Sequence, residues 1–223
     1  MTGGRAWDDL ADELGVRAVA EGEPTRWYDE LWSAAGRGEV PLPWDHTDPN
    51  PVLAGWATEP GEGRRAVVVG CGLGADSEFL ARNGWRTTAF DISPAAVAAV
   101  RERYPDSSVD YREGNLLDLT GDSADLAGAF DLVVEIFTLQ ALHPSLREQA
   151  VAGVRGLLAP GGTALVVQVV RRDDQPRSTE PPWTLTRAEM GAVAGDGVEL
   201  ESLDELLPEG RVNPLWRMVL TRR

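Results

Sequence analysis

Three glycines, Gly70, Gly72 and Gly74, close an apolar run in AVVVGCGLG (Ala66–Gly74) and lead into ADSEFLARNG. Glycine takes positive φ and lets main chain approach a ligand closely. The helix that follows offers free N–H groups in its first turn. Alone, the glycines fit a tight strand-to-helix turn as well as a nucleotide loop. Asp91 lies 17 residues beyond Gly74, at the end of a second predicted strand, where a carboxylate can accept both hydroxyls of a ribose. Gly114–Asn115–Leu116 follows a third strand, where a side-chain amide and a backbone N–H can read an adenine edge. Together these marks describe an adenosine site across the carboxyl ends of the strands. The third glycine comes one residue earlier than in the dinucleotide pattern G-x-G-x-x-G. Asp76, Glu78, Asp91 and Glu135 surround it, and that charge suits a cationic ligand better than a pyrophosphate.

The candidates for proton transfer are few. His46 in PWDHTDP and His143 in TLQALHPS are the only histidines, with Asp45 and Glu135 behind them. The single cysteine, Cys71, reads as a small packed residue rather than a nucleophile. Two distant histidines and one cysteine have no metal-ligand spacing, so no metal is expected. The chain has no lysine, which excludes a Schiff-base lysine and the lysine of a phosphate-binding P-loop.

Alternating elements must position these residues. From Arg64 onward apolar strands end at Gly70, Asp91, Gly114, Phe137 and Val170, with helical segments between them. Continuous apolar strands separated by helices predict a parallel sheet covered on both faces. SLREQAVAGVRGLLAPGG reads as a helix with a Pro-Gly-Gly stop. GVELESLDEL and PLWRMVLTR lack a helical period and should pair antiparallel at one edge. The expected fold is therefore α/β, a Rossmann-like doubly wound, mostly parallel seven-stranded sheet with an antiparallel C-terminal strand pair. Residues 1–60 have another texture, with five of the eight tryptophans, and divide from a 61–223 domain. Helices are expected near Gly4–Leu14 and Pro24–Ala35, then an irregular Val40–Pro51 segment whose length implies a function.

The net charge is −15, which disfavours nucleic-acid partners because there is no counterion-release gain. No apolar run approaches membrane-helix length. An acidic N-terminus without an apolar run and a lone cysteine lead to the expectation of a cytoplasmic protein without a leader.

VVVGCGLGADSEFLARNGWRTTAFDISPAAVAAV resembles the first motifs of class I S-adenosylmethionine-dependent methyltransferases. FDLVVEIFTLQAL and LLAPGGTALVV resemble their fourth-strand and pre-fifth-strand segments, so the likeness covers roughly 64–221. Gly-Cys-Gly-x-Gly-x-Asp, with Pro43-Trp44-Asp45 upstream, is similar to the thiopurine and thiol S-methyltransferase branch. The resemblance implies S-adenosylmethionine as cofactor and S-adenosylhomocysteine as product. It implies that Gly70, Cys71, Gly72 and Gly74 line the methionine and ribose, and that Asp91 holds the ribose. Ile92 would lie against the adenine, Asn115 and Leu116 at its edge, and Glu135 toward the sulfonium. Asn115 stands where the family often has an acid. In that branch the N-terminal segment closes over the cofactor, which assigns Trp32, Trp44 and the Val40–Pro51 loop to a lid.

The implied reaction is in-line transfer of a methyl group to a small molecule, with alignment supplying roughly 7–11 kcal/mol. A thiol or other soft nucleophile, with a free thiol pKa of about 8.5, needs little further help; a phenol or amine wants a base, His143, His46 or Glu135. The readings held open beside it are a small-molecule O- or N-methyltransferase of specialised metabolism, an NAD(P)-dependent oxidoreductase and a non-catalytic adenosine-binding module.

Overall fold

The computed structural model describes residues 7–42 and 45–223. Helices α1 (Trp7–Ala20), α2 (Arg26–Gly36) and α3 (Pro51–Trp56) precede β1 (Arg65–Val69), α4 (Ala75–Arg82), β2 (Arg86–Asp91), α5 (Pro94–Arg103) and β3 (Asp110–Glu113). There follow β4 (Phe130–Ile136), α6 (Thr138–Ala141), α7 (Arg147–Leu157), β5 (Leu158–Val169), α8 (Arg187–Gly191), β6 (Val198–Leu206) and β7 (Leu215–Arg222). The strand order is β3-β2-β1-β4-β5-β7-β6. The first five strands run parallel, and β7 pairs antiparallel with both β5 and β6. This is the expected doubly wound fold. Order reverses beside β1, so a crevice opens at the carboxyl ends of β1 and β4.

Side-chain alternation builds two cores from the same strands. Val67 and Val69 of β1, with Ala164 and Val166 of β5, face Val154 and Leu157 of α7. Ala66 and Val68, with Leu165 and Val167, join Leu80 of α4, Val100 of α5 and Val52 and Leu53 of α3. Each fully buried Leu, Val or Phe contributes about 1.5–3 kcal/mol. A third cluster, Leu14 and Ala18 of α1 with Trp27, Leu31 and Ala34 of α2, holds the N-terminal helices to each other.

Two local expectations are corrected, and a third segment gains a helix. The first helix runs to Ala20, past Leu14, because Gly15 and Ala18 continue its buried stripe. The irregular segment is without helix or strand in its described residues up to Asn50, as expected, but an unexpected helix, α3, follows it, where Asn50 caps Val52 N–H and Pro51 takes the first helical position. The Pro-Gly-Gly stop lies inside β5. The register steps from Phe130↔Leu158 to Leu132↔Thr163, so Ala159–Gly162 form a bulge. The start of the expected Gly4–Leu14 helix, and Trp44 with Pro43, lie outside the described residues.

Candidate functional site

The glycine loop caps β1 and starts α4. Gly70, Gly72 and Gly74 all have positive φ, at 59°, 48° and 81°. Two of them are also forced by packing. A Cβ on Gly70 would strike Thr138 Oγ1, and one on Gly74 would stand 2.5 Å from Tyr111 Oη and 2.7 Å from Val100 Cγ2. Tyr111 cannot retreat freely, since its hydroxyl donates to Glu78 Oε1 at 2.8 Å. Cys71 N–H donates to Phe90 O at 3.0 Å and ties the loop to β2.

Asp91 ends β2 beside this loop and is only 7% exposed. Its Oδ2 accepts from Gly72 N–H at 3.1 Å and its Oδ1 from Ser93 N–H at 3.0 Å. Burial raises its pKa, and the Ser93 and Gly72 N–H groups oppose that rise. The predicted ribose acid therefore sits on the second glycine of the loop. Burial, with the Asp91 charge beside it, pushes the Cys71 thiol well above its ordinary value, so Cys71 is a packed residue and not a thiolate.

Glu135 is neither a solvated acid nor a side chain turned to a ligand. It is fully buried. Its Oε1 accepts from Thr138 N–H at 2.7 Å and Leu139 N–H at 2.9 Å. Its Oε2 accepts from Gln168 Nε2 at 2.6 Å. Burial lifts its pKa to about 7, against the pull of these donors. In this conformation Glu135 fixes the turn after β4, which places Thr138 against Gly70. With its oxygens accepting from these three donors, it acts as a positioning residue for that turn.

Helix α2 lies across the crevice. Asp29 Oδ1 accepts from Ser93 Oγ at 2.7 Å and Ala95 N–H at 3.1 Å, at the start of α5. Tyr28 Oη donates to Ala141 O at 2.6 Å, beyond β4. Those anchors lie just after β2 and β4, the two strands that flank β1. Burial and the Asp91 charge raise the Tyr28 pKa. Trp32 is buried on the same helix. The 45–50 strap is tied down separately: Asp76 accepts from Asn50 N–H at 2.7 Å, and Arg103 pairs with Asp45 at 2.7 Å.

The remaining candidates scatter. Ile92 is half-buried between Asp91 and Ser93. Asn115 Oδ1 accepts from Leu117 N–H at 2.9 Å in a local turn. Leu116 is buried in the core against Gly153, so its side chain serves packing and only its backbone can meet an adenine. A groove of about 350 Å³ opens next to Leu117, lined also by Pro24, Thr25 and Leu146. His46 is exposed on the strap near Asp76. His143 lies beyond β4, with Nδ1 2.8 Å from Ser145 Oγ and its ring edge-on to Trp183 at 5.2 Å. The two histidines thus have different neighbours, Asp76 for His46 and Ser145 and Trp183 for His143. Tyr28, Asp29 and Arg147 were not singled out from the sequence. Nothing in their local spacing marks them, because their partners lie tens of residues away.

Residues 67–164 match the family model described as a methyltransferase domain. The chain is similar to the ubiquinone biosynthesis O-methyltransferase of Xanthomonas campestris pv. campestris, 38% identical over 103 residues, 45% of this chain and 41% of that protein. It is also similar to the cypemycin N-terminal methyltransferase of a Streptomyces species, 32% identical over 123 residues, 53% of this chain and 48% of that protein. The chain thus spans less than half the length of these curated relatives. Its fold matches a solved Burkholderia thailandensis 1,6-didemethyltoxoflavin-N1-methyltransferase with bound 1,6-didemethyltoxoflavin and S-adenosylhomocysteine. That match has a TM-score of 0.61 at 16% identity and covers 96% of this chain and 88% of that one. Among the described residues no helix is long and apolar enough to cross a membrane, and no three His, Cys, Asp or Glu side chains gather as a metal site.

Proposed function

We propose that this protein transfers the methyl group of S-adenosylmethionine to a small-molecule acceptor. The observation that carries the reading is the pairing of Asp91 with Gly72 at the carboxyl ends of β2 and β1. A buried carboxylate stands there on a loop of positive-φ glycines, able to accept ribose hydroxyls. The match over 67–164 supports it. The acids of the crevice, Asp29 and Asp91, suit a cationic sulfonium.

When bound, the cofactor supplies an activated methyl carbon. The chain has to hold it, align the acceptor and exclude water. In this reading Gly70, Cys71, Gly72 and Gly74 offer backbone to the methionine and ribose, and Asn115 and the Leu116 backbone offer polar groups to the adenine. Helices α1 and α2 form the cover, latched by Asp29 to α5 and by Tyr28 to the turn after β4. The 51–57 segment belongs to the sheet core instead, because Val52, Leu53 and Ala57 pack there.

The acceptor atom is a further step. The Gly-Cys-Gly-x-Gly-x-Asp start favours a thiol or other soft nucleophile, whose proton leaves to solvent without a dedicated base. An oxygen or nitrogen acceptor would draw on His143, which stands beyond β4 beside Trp183. The named relatives act on an oxygen and on an N-terminal amine.

Titration calorimetry with S-adenosylhomocysteine and with NADH tests the reading on wild type and Asp91→Asn. S-adenosylhomocysteine should bind wild type and bind Asp91→Asn at least about tenfold more weakly. NADH binding without S-adenosylhomocysteine binding would replace the proposal with an oxidoreductase.

A further inference from the structure

Arg147 opens α7 and stands out electrostatically. A cation at a helix N-terminus faces the positive end of the macrodipole, and no side chain caps this helix. Its Nη2 donates to Trp183 O at 3.1 Å, while its Nε is buried without a partner. Among the described residues it makes no ion pair. The nearby acid Glu189 is already taken, by Arg171 at 2.6 Å, by Arg177 and by Thr186 N–H at 2.8 Å. The other acid whose charge reaches Arg147 is Glu135, whose oxygens are committed to three donors. Burial lowers the Arg147 pKa, and Arg177 and Arg171 add repulsion to that effect. Two guanidiniums thus occupy Glu189 while the third, Arg147, is left without an ion pair among the described residues, in a chain whose net charge is −15. The place adjoins the turn after β4: Trp183, whose carbonyl Arg147 holds, donates its N–H to Gln140 O at 2.6 Å, next to the Ala141 carbonyl that takes the Tyr28 hydroxyl, and lies edge-on to His143.

We propose that Arg147 reads a carboxylate on the methyl acceptor, so that the acceptor is a small carboxylate-bearing molecule. The planar guanidinium fork matches a carboxylate, and its unspent donors regain in the complex what burial denies them. A phosphate dianion fits less well, because Asp91 and Glu135 lie at the same carboxyl end of the sheet and Asp29 is bonded to the segment just after β2, and repulsion grows with the charge of the anion. The aromatic pair His143 and Trp183 beside Arg147 suits the acceptor rather than the methionine end of the cofactor. This inference rests on the methyltransferase reading for the word acceptor, but its binding test does not.

The test measures binding of benzoate and of benzamide, with and without S-adenosylhomocysteine, to wild type, Arg147→Gln and Arg147→Lys. It then compares methyl transfer to 4-mercaptobenzoate and to 4-mercaptobenzamide. Wild type should prefer the acid by roughly tenfold or more. Arg147→Gln should abolish that preference while leaving S-adenosylhomocysteine affinity unchanged, and Arg147→Lys should restore part of it. Equal binding of acid and amide by wild type, or binding of neither, overturns the inference. So does an Arg147→Gln variant that keeps the preference, or one that loses S-adenosylhomocysteine affinity instead. Benzoate selectivity without any S-adenosylhomocysteine binding would keep the anion site and remove the methyltransferase reading, so the two failures are distinguishable.

Discussion

Gly74→Ala is the sharpest probe of the loop, because two separate costs fall on one methyl group. At φ 81° an L-residue costs about 1–2 kcal/mol. The new Cβ would lie 2.5 Å from Tyr111 Oη and 2.7 Å from Val100 Cγ2, and overpacking of that kind adds about 1–3 kcal/mol. Tyr111 cannot swing away without losing its 2.8 Å bond to Glu78, and Val100 is fully buried. The lower chain entropy of unfolded alanine returns about 0.4–1 kcal/mol. The net loss is about 1–5 kcal/mol. For a chain of this length a kcal/mol moves Tm by about 2–4 °C, so Tm should fall by about 2–20 °C. Urea unfolding and calorimetry measure it. In a double-mutant cycle, Tyr111→Phe removes the nearer atom and should recover about 1 kcal/mol of the clash but none of the backbone cost. A Gly74→Ala protein within about 0.5 kcal/mol of wild type would show that neither contact constrains the loop, and strict additivity with Tyr111→Phe would remove the Tyr111 hydroxyl as the clash.

Other perturbations reach the neighbouring parts. Glu135 has a native pKa of about 7 against an ordinary 4.5, so the folded state binds its proton more tightly than the unfolded state does. Its contribution is greatest below the unfolded value and is lost as pH rises from about 4.5 to 7. The separation corresponds to about 3 kcal/mol. Denaturant titrations across that window should show the decline in wild type and a flatter profile in Glu135→Gln; parallel profiles would assign the decline to other groups. Asp29→Ala removes the acceptor for Ser93 Oγ and Ala95 N–H and should cost about 1–2 kcal/mol. Amide exchange should then quicken in α2 while β1 and β4 stay protected, and unchanged α2 protection would remove Asp29 as the latch.

The sheet was legible because burial on two faces writes itself into short apolar runs, such as Ala66–Val69 and Leu132–Val134, and turn glycines punctuate them. The loop was legible for the same local reason: positive φ at Gly70, Gly72 and Gly74 demands glycine wherever the chain folds. Asp91 could be placed because a strand of known length ends there. Local pattern fails where the partner is distant. Glu135 looked like a site acid, and only the three donors from α6 and Gln168 show that it is an internal brace. The type of residue at Leu116 did not show that its side chain packs against Gly153, which leaves only its backbone free for the adenine reading. The bulge at Ala159–Gly162 reads as a stop in one dimension and becomes a register step once β4 lies alongside.

The sequence by itself therefore determined the doubly wound sheet, the glycine turn and the acid that faces it, because each leaves a short local signature in residue type and spacing. Only the tertiary structure decided what lies over them. It tied α2 to the segments after β2 and β4 through Asp29 and Tyr28, and it left Arg147 without an ion-pair partner among the described residues. Those features depend on residues 36 to 113 positions apart, and chain packing alone brings such residues within hydrogen-bond reach.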